Sequence, residues 1–192
     1  MAQYFCRVCD SNNGWVTPSG FATETLASHH GKYGFAYEEW NFNPLLFINN
    51  FQHGWLEGFK SGVGRRLVPY GVHDVALYVR RDGQNWVVGK IINCEKIDSL
   101  INSVPYPGSF IPHVNAVGGN ALFNNNQWFV NPKANLPLNF QYNQVSLANI
   151  KFSHSDVTIY QTPISTNIAY TRYGALLVNG NQVRSALWQS LP

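Results

Sequence analysis

Apolar and polar residues alternate over several short stretches of this chain, and a period of two is the signature of strands that bury one face. The clearest case is a pair. Val72 to Arg80 and Asn85 to Cys94 are rich in β-branched and aromatic residues, and Arg81-Asp82-Gly83-Gln84 separates them. Asp-Gly between two such runs predicts a tight hairpin, because glycine supplies the positive φ that the turn needs. Tyr4 to Cys9 reads as a first strand, closed by the turn-forming run Asp10-Ser11-Asn12-Asn13-Gly14. Further strands are predicted over Val145 to Phe152, Val157 to Gln161 and Ala175 to Val178, with Asn179-Gly180 as another tight turn.

Helical periodicity is weaker. Ala22 to Ala27 could form one short helix, and Glu95 to Ser103 carries Ile97, Leu100 and Ile101 at amphipathic spacing before Pro105 ends it. From Tyr106 to Tyr142 the chain is irregular, with Pro107, Pro112, Pro132 and Pro137, the pair Gly118-Gly119 and the run Asn124-Asn125-Asn126. Loops this long inside a compact domain are more often functional than accidental, so this region is a candidate surface. Neither an internal repeat nor a break in composition divides the sequence, which predicts one domain over 1–192.

Composition sharpens the class. Apolar residues make up 45% of the 192 and charged ones only 12%, which excludes a disordered chain. The 15% of aromatic residues favours pleated surfaces over helices, so the expected class is α+β dominated by β. A net charge of +3 permits a polyanionic partner without requiring one. The basic residues fall in loose groups: Lys60, Arg65 and Arg66; Arg80, Arg81 and Lys90; Arg172 and Arg184. Three cysteines without a preceding signal peptide argue against a secreted disulfide scaffold and predict a reducing cytoplasm. The longest apolar runs, such as Pro44 to Ile48 and Val75 to Val79, are too short to span a membrane.

Each constellation that could carry chemistry has a plainer explanation. Cys6-x-x-Cys9 with His29 and His30 offers zinc ligands, yet a ribbon needs a second knuckle and a redox pair belongs at a helix N-terminus. No metal or cofactor is expected, and the cysteines read as structural. Cys94 with His73 and Asp74 supplies the residue types of a thiol protease, but an interior cysteine on a strand explains it as well. Glu38 and Glu39 beside Trp40 resemble paired carboxylates, although neighbours on a strand face opposite ways. Gly62-Val63-Gly64-Arg65-Arg66 lacks the ending of a phosphate-binding loop. The chain therefore reads as a binding protein with no catalytic residues of its own. The alternative is an enzyme of small-molecule or nucleotide chemistry using Glu38, His53 and Cys94.

What stands out is aromatic density beside hydrogen-bonding side chains. Trp15, Tyr33, Phe35, Tyr37, Trp40, Phe42, Phe51 and Trp55 interleave with Asn12, Asn13, Ser19, Glu38, Glu39 and His53. An aromatic core needs only the rings. A planar base held between rings and read along its edge needs both kinds of residue.

Three segments then resemble a known bacterial domain. Ser11-Asn12-Asn13-Gly14-Trp15-Val16-Thr17-Pro18-Ser19-Gly20, Tyr33-Gly34-Phe35-Ala36-Tyr37-Glu38-Glu39-Trp40-Asn41-Phe42 and His53-Gly54-Trp55-Leu56-Glu57-Gly58-Phe59 are similar to its N-x-W-x-x-P-S-G, G-x-G-H-E-E-W-L-F and Y-G-F-L patterns. The hairpin from Asp74 to Ile91 resembles its continuation, and Ala36-Tyr37 departs from the usual Gly-His. The domain is identified as a member of the PUA-like group, alongside the EVE, YTH and SRA modules that read modified bases in modification-dependent restriction. That resemblance implies a small twisted β-barrel with a few short peripheral helices, a flipped DNA base, and a nuclease domain or subunit as partner. It implies stacking by Trp15, Tyr37 and Trp40, edge recognition by Asn13, Ser19 and Glu38 or Glu39, and backbone contacts from Lys60, Arg65 and Arg66.

Overall fold

The computed structural model describes residues 1–12, 14–16, 37–42, 44, 47–60, 68–97, 121–124, 127–130, 148–168, 174–178 and 182–192. Ten strands lie among them: β1 Ala2–Arg7, β2 Phe47–Ile48, β3 Phe51–Gly54, β4 Gly71–Arg81, β5 Gln84–Lys96, β6 Ala121–Asn124, β7 Gln127–Val130, β8 Ile150–Phe152, β9 Val157–Thr166 and β10 Ala175–Leu177. One α-helix, α1, covers Gln182–Ser190.

The β4–β5 hairpin is the spine. Asp82 and Gly83 turn it at φ 48° and 79°, as the Asp-Gly pair predicts. β1 lies parallel to β4, and β10 runs antiparallel to β1. The far edge of β5 is shared, with β9 pairing its first half and β8 its last two residues. β3 joins β8, and β2 closes the order β10-β1-β4-β5-β8-β3-β2. The β2–β3 turn has no glycine: Asn49 and Asn50 take φ 52° and 68°, conformations that asparagine tolerates better than most residues. β6 and β7 pair with each other in a separate hairpin, inside the stretch expected to be irregular throughout.

Alternation along β1, β4 and β5 divides the apolar residues between two faces. Tyr4, Cys6, Val75, Leu77, Val79, Ile91 and Cys94 join the larger core with Trp15, Leu56, Phe59 and Phe152. Phe5, Ala76, Tyr78 and Val87 face the other way and pack with Leu187, Trp188 and Leu191 at the C-terminal end of the chain. The Phe5 and Trp188 rings meet edge to face at 5.7 Å. The fold is thus a β-dominated α+β structure in which, among the described residues, the sheet's two end strands do not pair with one another.

Several boundaries differ from the expectation. Glu95 and Lys96, expected to begin a helix, extend β5 and pair with Lys151 and Ile150, because the sheet satisfies their backbone before a helix could start. The strand expected from Val145 begins at Ile150, and β9 continues past Gln161 to Thr166. The expected helix at 22–27, the turn at 179–180 and the remainder of the helix expected to end near 103 lie outside the described residues. No helix among the described residues is long and apolar enough to cross a membrane.

Candidate functional site

Two short 3-10 turns lie near the end of β3, linked to it through Asn41 and through the chain that follows Gly54. The first is Tyr37–Trp40 and the second Glu57–Phe59. Asn41 joins them: its backbone N–H donates to the Glu38 carbonyl at 3.2 Å, and its Oδ1 accepts from the Trp55 N–H at 2.6 Å. A side chain at Gly54 would bring its Cβ within 2.7 Å of that oxygen, so glycine is needed there for close approach. Asn149 fixes the second turn. Its Oδ1 accepts from the Leu56 N–H at 2.8 Å and its Nδ2 donates to the Leu56 carbonyl at 2.9 Å.

This seam collects charge away from water. Glu39 is fully buried and Glu38 half-buried. Burial pushes the Glu38 carboxyl up to about 8; its own backbone hydrogen bond opposes this, Glu57 and Glu39 reinforce it, and Arg7 at the end of β1 opposes it again. At neutral pH Glu38 therefore carries its proton, with one O–H donor and one carbonyl acceptor. Trp55, 5% exposed, borders the turn, its Nε1–H donating to Glu57 Oε2 at 3.2 Å. The exposed Lys60 holds its Nζ 5.9 Å from the centre of the Trp55 ring. Asn41 is 1% exposed, and its Nδ2 has no hydrogen-bond partner.

The raised carboxyl predicts how stability depends on pH. Below about pH 4.5 Glu38 is protonated in the folded and unfolded chain alike, and its contribution is fully present. As pH climbs to about 8 the unfolded chain releases the proton first, so the folded state loses ground throughout that window. Glu38→Gln removes the titration. With solvent screening of a half-buried group allowed for, the variant should gain roughly 2 kcal/mol on the parent between pH 5 and 8. Melting curves of both proteins at those two pH values check this, and parallel pH profiles contradict it.

The expected site residues separate into groups. Glu38 and Glu39 share the first turn, while Lys60 follows the second, with its Nζ over the Trp55 ring. Glu38 and Glu39 lie on a 3-10 turn and not a strand, so successive side chains differ by about 120° and the opposite-face argument does not apply. Tyr37 and Trp40 lie on the same turn, their side chains outside the described residues; Asn13, Ser19, Arg65 and Arg66 also lie outside them. Trp15 is a correction. It is 4% exposed within the larger core, and its Nε1–H is held by the Cys9 carbonyl at 2.7 Å, so its indole packs the interior instead of offering an open stacking face.

Sequence reasoning did not single out Arg7, Asn41, Glu57 or Asn149. The available signal was the segment Gly54-Trp55-Leu56-Glu57-Gly58, where two glycines bracket an aromatic and a carboxylate. A Cβ at Gly58 would lie 2.9 Å from the Ala175 backbone nitrogen, so this turn is pressed against β10.

The thiol alternative meets a different environment. Cys94 and His73 are direct cross-strand partners, but burial pushes the Cys94 thiol far up, reinforced by Glu95 and Asp74. His73 is walled edge-on by Tyr4 and Phe59 at 5.2 and 5.9 Å, with Nε2 against the Pro69 carbonyl at 2.9 Å. Asp74 accepts from the Asn93 N–H at 3.2 Å. A buried, protonated thiol is a poor nucleophile. His53 turns its Nδ1 to the Phe51 carbonyl at 3.2 Å, and strand alternation sets it opposite the buried Gln52. Cys6, Cys9 and Cys94 are free and buried, and no group of three or more potential metal ligands occurs among the described residues.

Comparison with protein-family models, curated proteins and solved structures finds no match to this chain.

Proposed function

We propose that this chain is a nucleic-acid-binding module that reads a modified base in DNA, drawn out of the duplex into the seam between the two 3-10 turns, with nuclease activity supplied by another domain or subunit. The observation that carries the reading is the buried Asn41 carboxamide, whose Oδ1 holds the Trp55 N–H while its Nδ2 has no hydrogen-bond partner, directly after the turn that carries the raised Glu38 carboxyl. Buried hydrogen-bonding groups next to an aromatic ring suit an uncharged heterocycle. Lys60 at the rim supplies a cation for the phosphate backbone. The resemblance to base-reading PUA-like modules points the same way and carries with it the expectation of a small barrel. The three free thiols suit the reducing cytoplasm where such a module would work.

The test is affinity for duplexes that differ at one base, measured across salt. If Lys60, Arg65 and Arg66 each meet a phosphate, binding should fall roughly 40-fold between about 50 and about 200 mM salt. Modified duplex should stay ahead of plain duplex by a constant factor throughout. Equal affinity for both at every salt concentration contradicts base reading.

A further inference from the structure

We draw no further inference here: the strongest candidate, the exposed apolar side chains of the main sheet, Phe51 on β3, Val72 on β4 and Ile92 on β5, carries none, because nothing among the described residues shows what covers them.

Discussion

Replacing Trp15 with alanine should lower the stability of the domain by about 3–5 kcal/mol, the usual cost of emptying a buried aromatic site. For a chain of this length that is a drop of roughly 6–20 °C in melting temperature. The expectation follows from how fully the residue is engaged. The indole packs in the larger core, its Nε1–H is bound to the Cys9 carbonyl at 2.7 Å, and its backbone carbonyl accepts from the Phe42 N–H at 3.0 Å. Its backbone N–H also reaches Ser11 Oγ at 3.3 Å. Trp15 therefore ties the loop after β1 to the turn that carries Glu38. Trp15→Phe, which keeps most of the volume and loses the indole N–H, should recover the larger part of the loss. Thermal melts of the two variants check this. A Trp15→Ala protein that melts with the parent yet no longer distinguishes bases would return the residue to a stacking role.

The hairpin was legible because local and global preferences agree along it. From Val72 to Cys94 the chain has β-branched residues, period-two patterning and the one turn dipeptide that fits, and the observed register keeps all three. Where they compete, the reading slipped. Ile97, Leu100 and Ile101 have helical spacing, yet Glu95 and Lys96 are drawn into the sheet by β8, a partner 54 residues beyond Lys96 at Ile150. The hairpin of Phe47 and Phe51 lacks glycine, so its Asn49-Asn50 turn gives a weaker signal than Asp-Gly. In α1, Val183 and Leu187 are four residues apart, with Leu191 just past its end, but nine residues give too few repeats for a firm periodicity.

The site was legible in its residue types and not in its partners. Glu38, Glu39 and Lys60 stand out by chemistry, the two carboxylates on one turn and the lysine after the other. Asn41 and Asn149 do not stand out, because asparagine is common in this chain and its role here is set by contacts across the fold. Asn149 reaches Leu56 from 93 residues away. Trp15 shows the converse limit. Aromatic density marks where rings gather, while the hydrogen bond that turns one of them inward depends on where the Cys9 carbonyl points.

Truncating Asn149 to alanine should also destabilise the domain, and its effects should reach the site. The side chain is 1% exposed, accepts from the Leu56 N–H and shares the Leu56 carbonyl with the Phe59 N–H, while its backbone N–H donates to the Gly54 carbonyl at 2.8 Å and its carbonyl accepts from the Ile97 N–H at 3.0 Å. Alanine keeps the backbone contacts, leaves the N–H of the buried Leu56 without a partner and leaves its carbonyl only the Phe59 N–H at 2.9 Å, at a cost of about 1–3 kcal/mol. A fall of roughly 2–12 °C in melting temperature is expected. Leu56 connects Trp55 to Glu57, so the same change should loosen the turn that carries Glu57 and Lys60 and raise amide hydrogen exchange at Leu56. Asn149→Asp separates the two halves of the contact: it keeps an oxygen for the Leu56 N–H but sets a second oxygen against the Leu56 carbonyl. That variant should be most stable at low pH, where the new carboxyl is protonated and can still donate, and should weaken as pH rises. Protection at Leu56 that survives Asn149→Ala would mean that another group satisfies this peptide, and that the turn carrying Glu57 is anchored elsewhere.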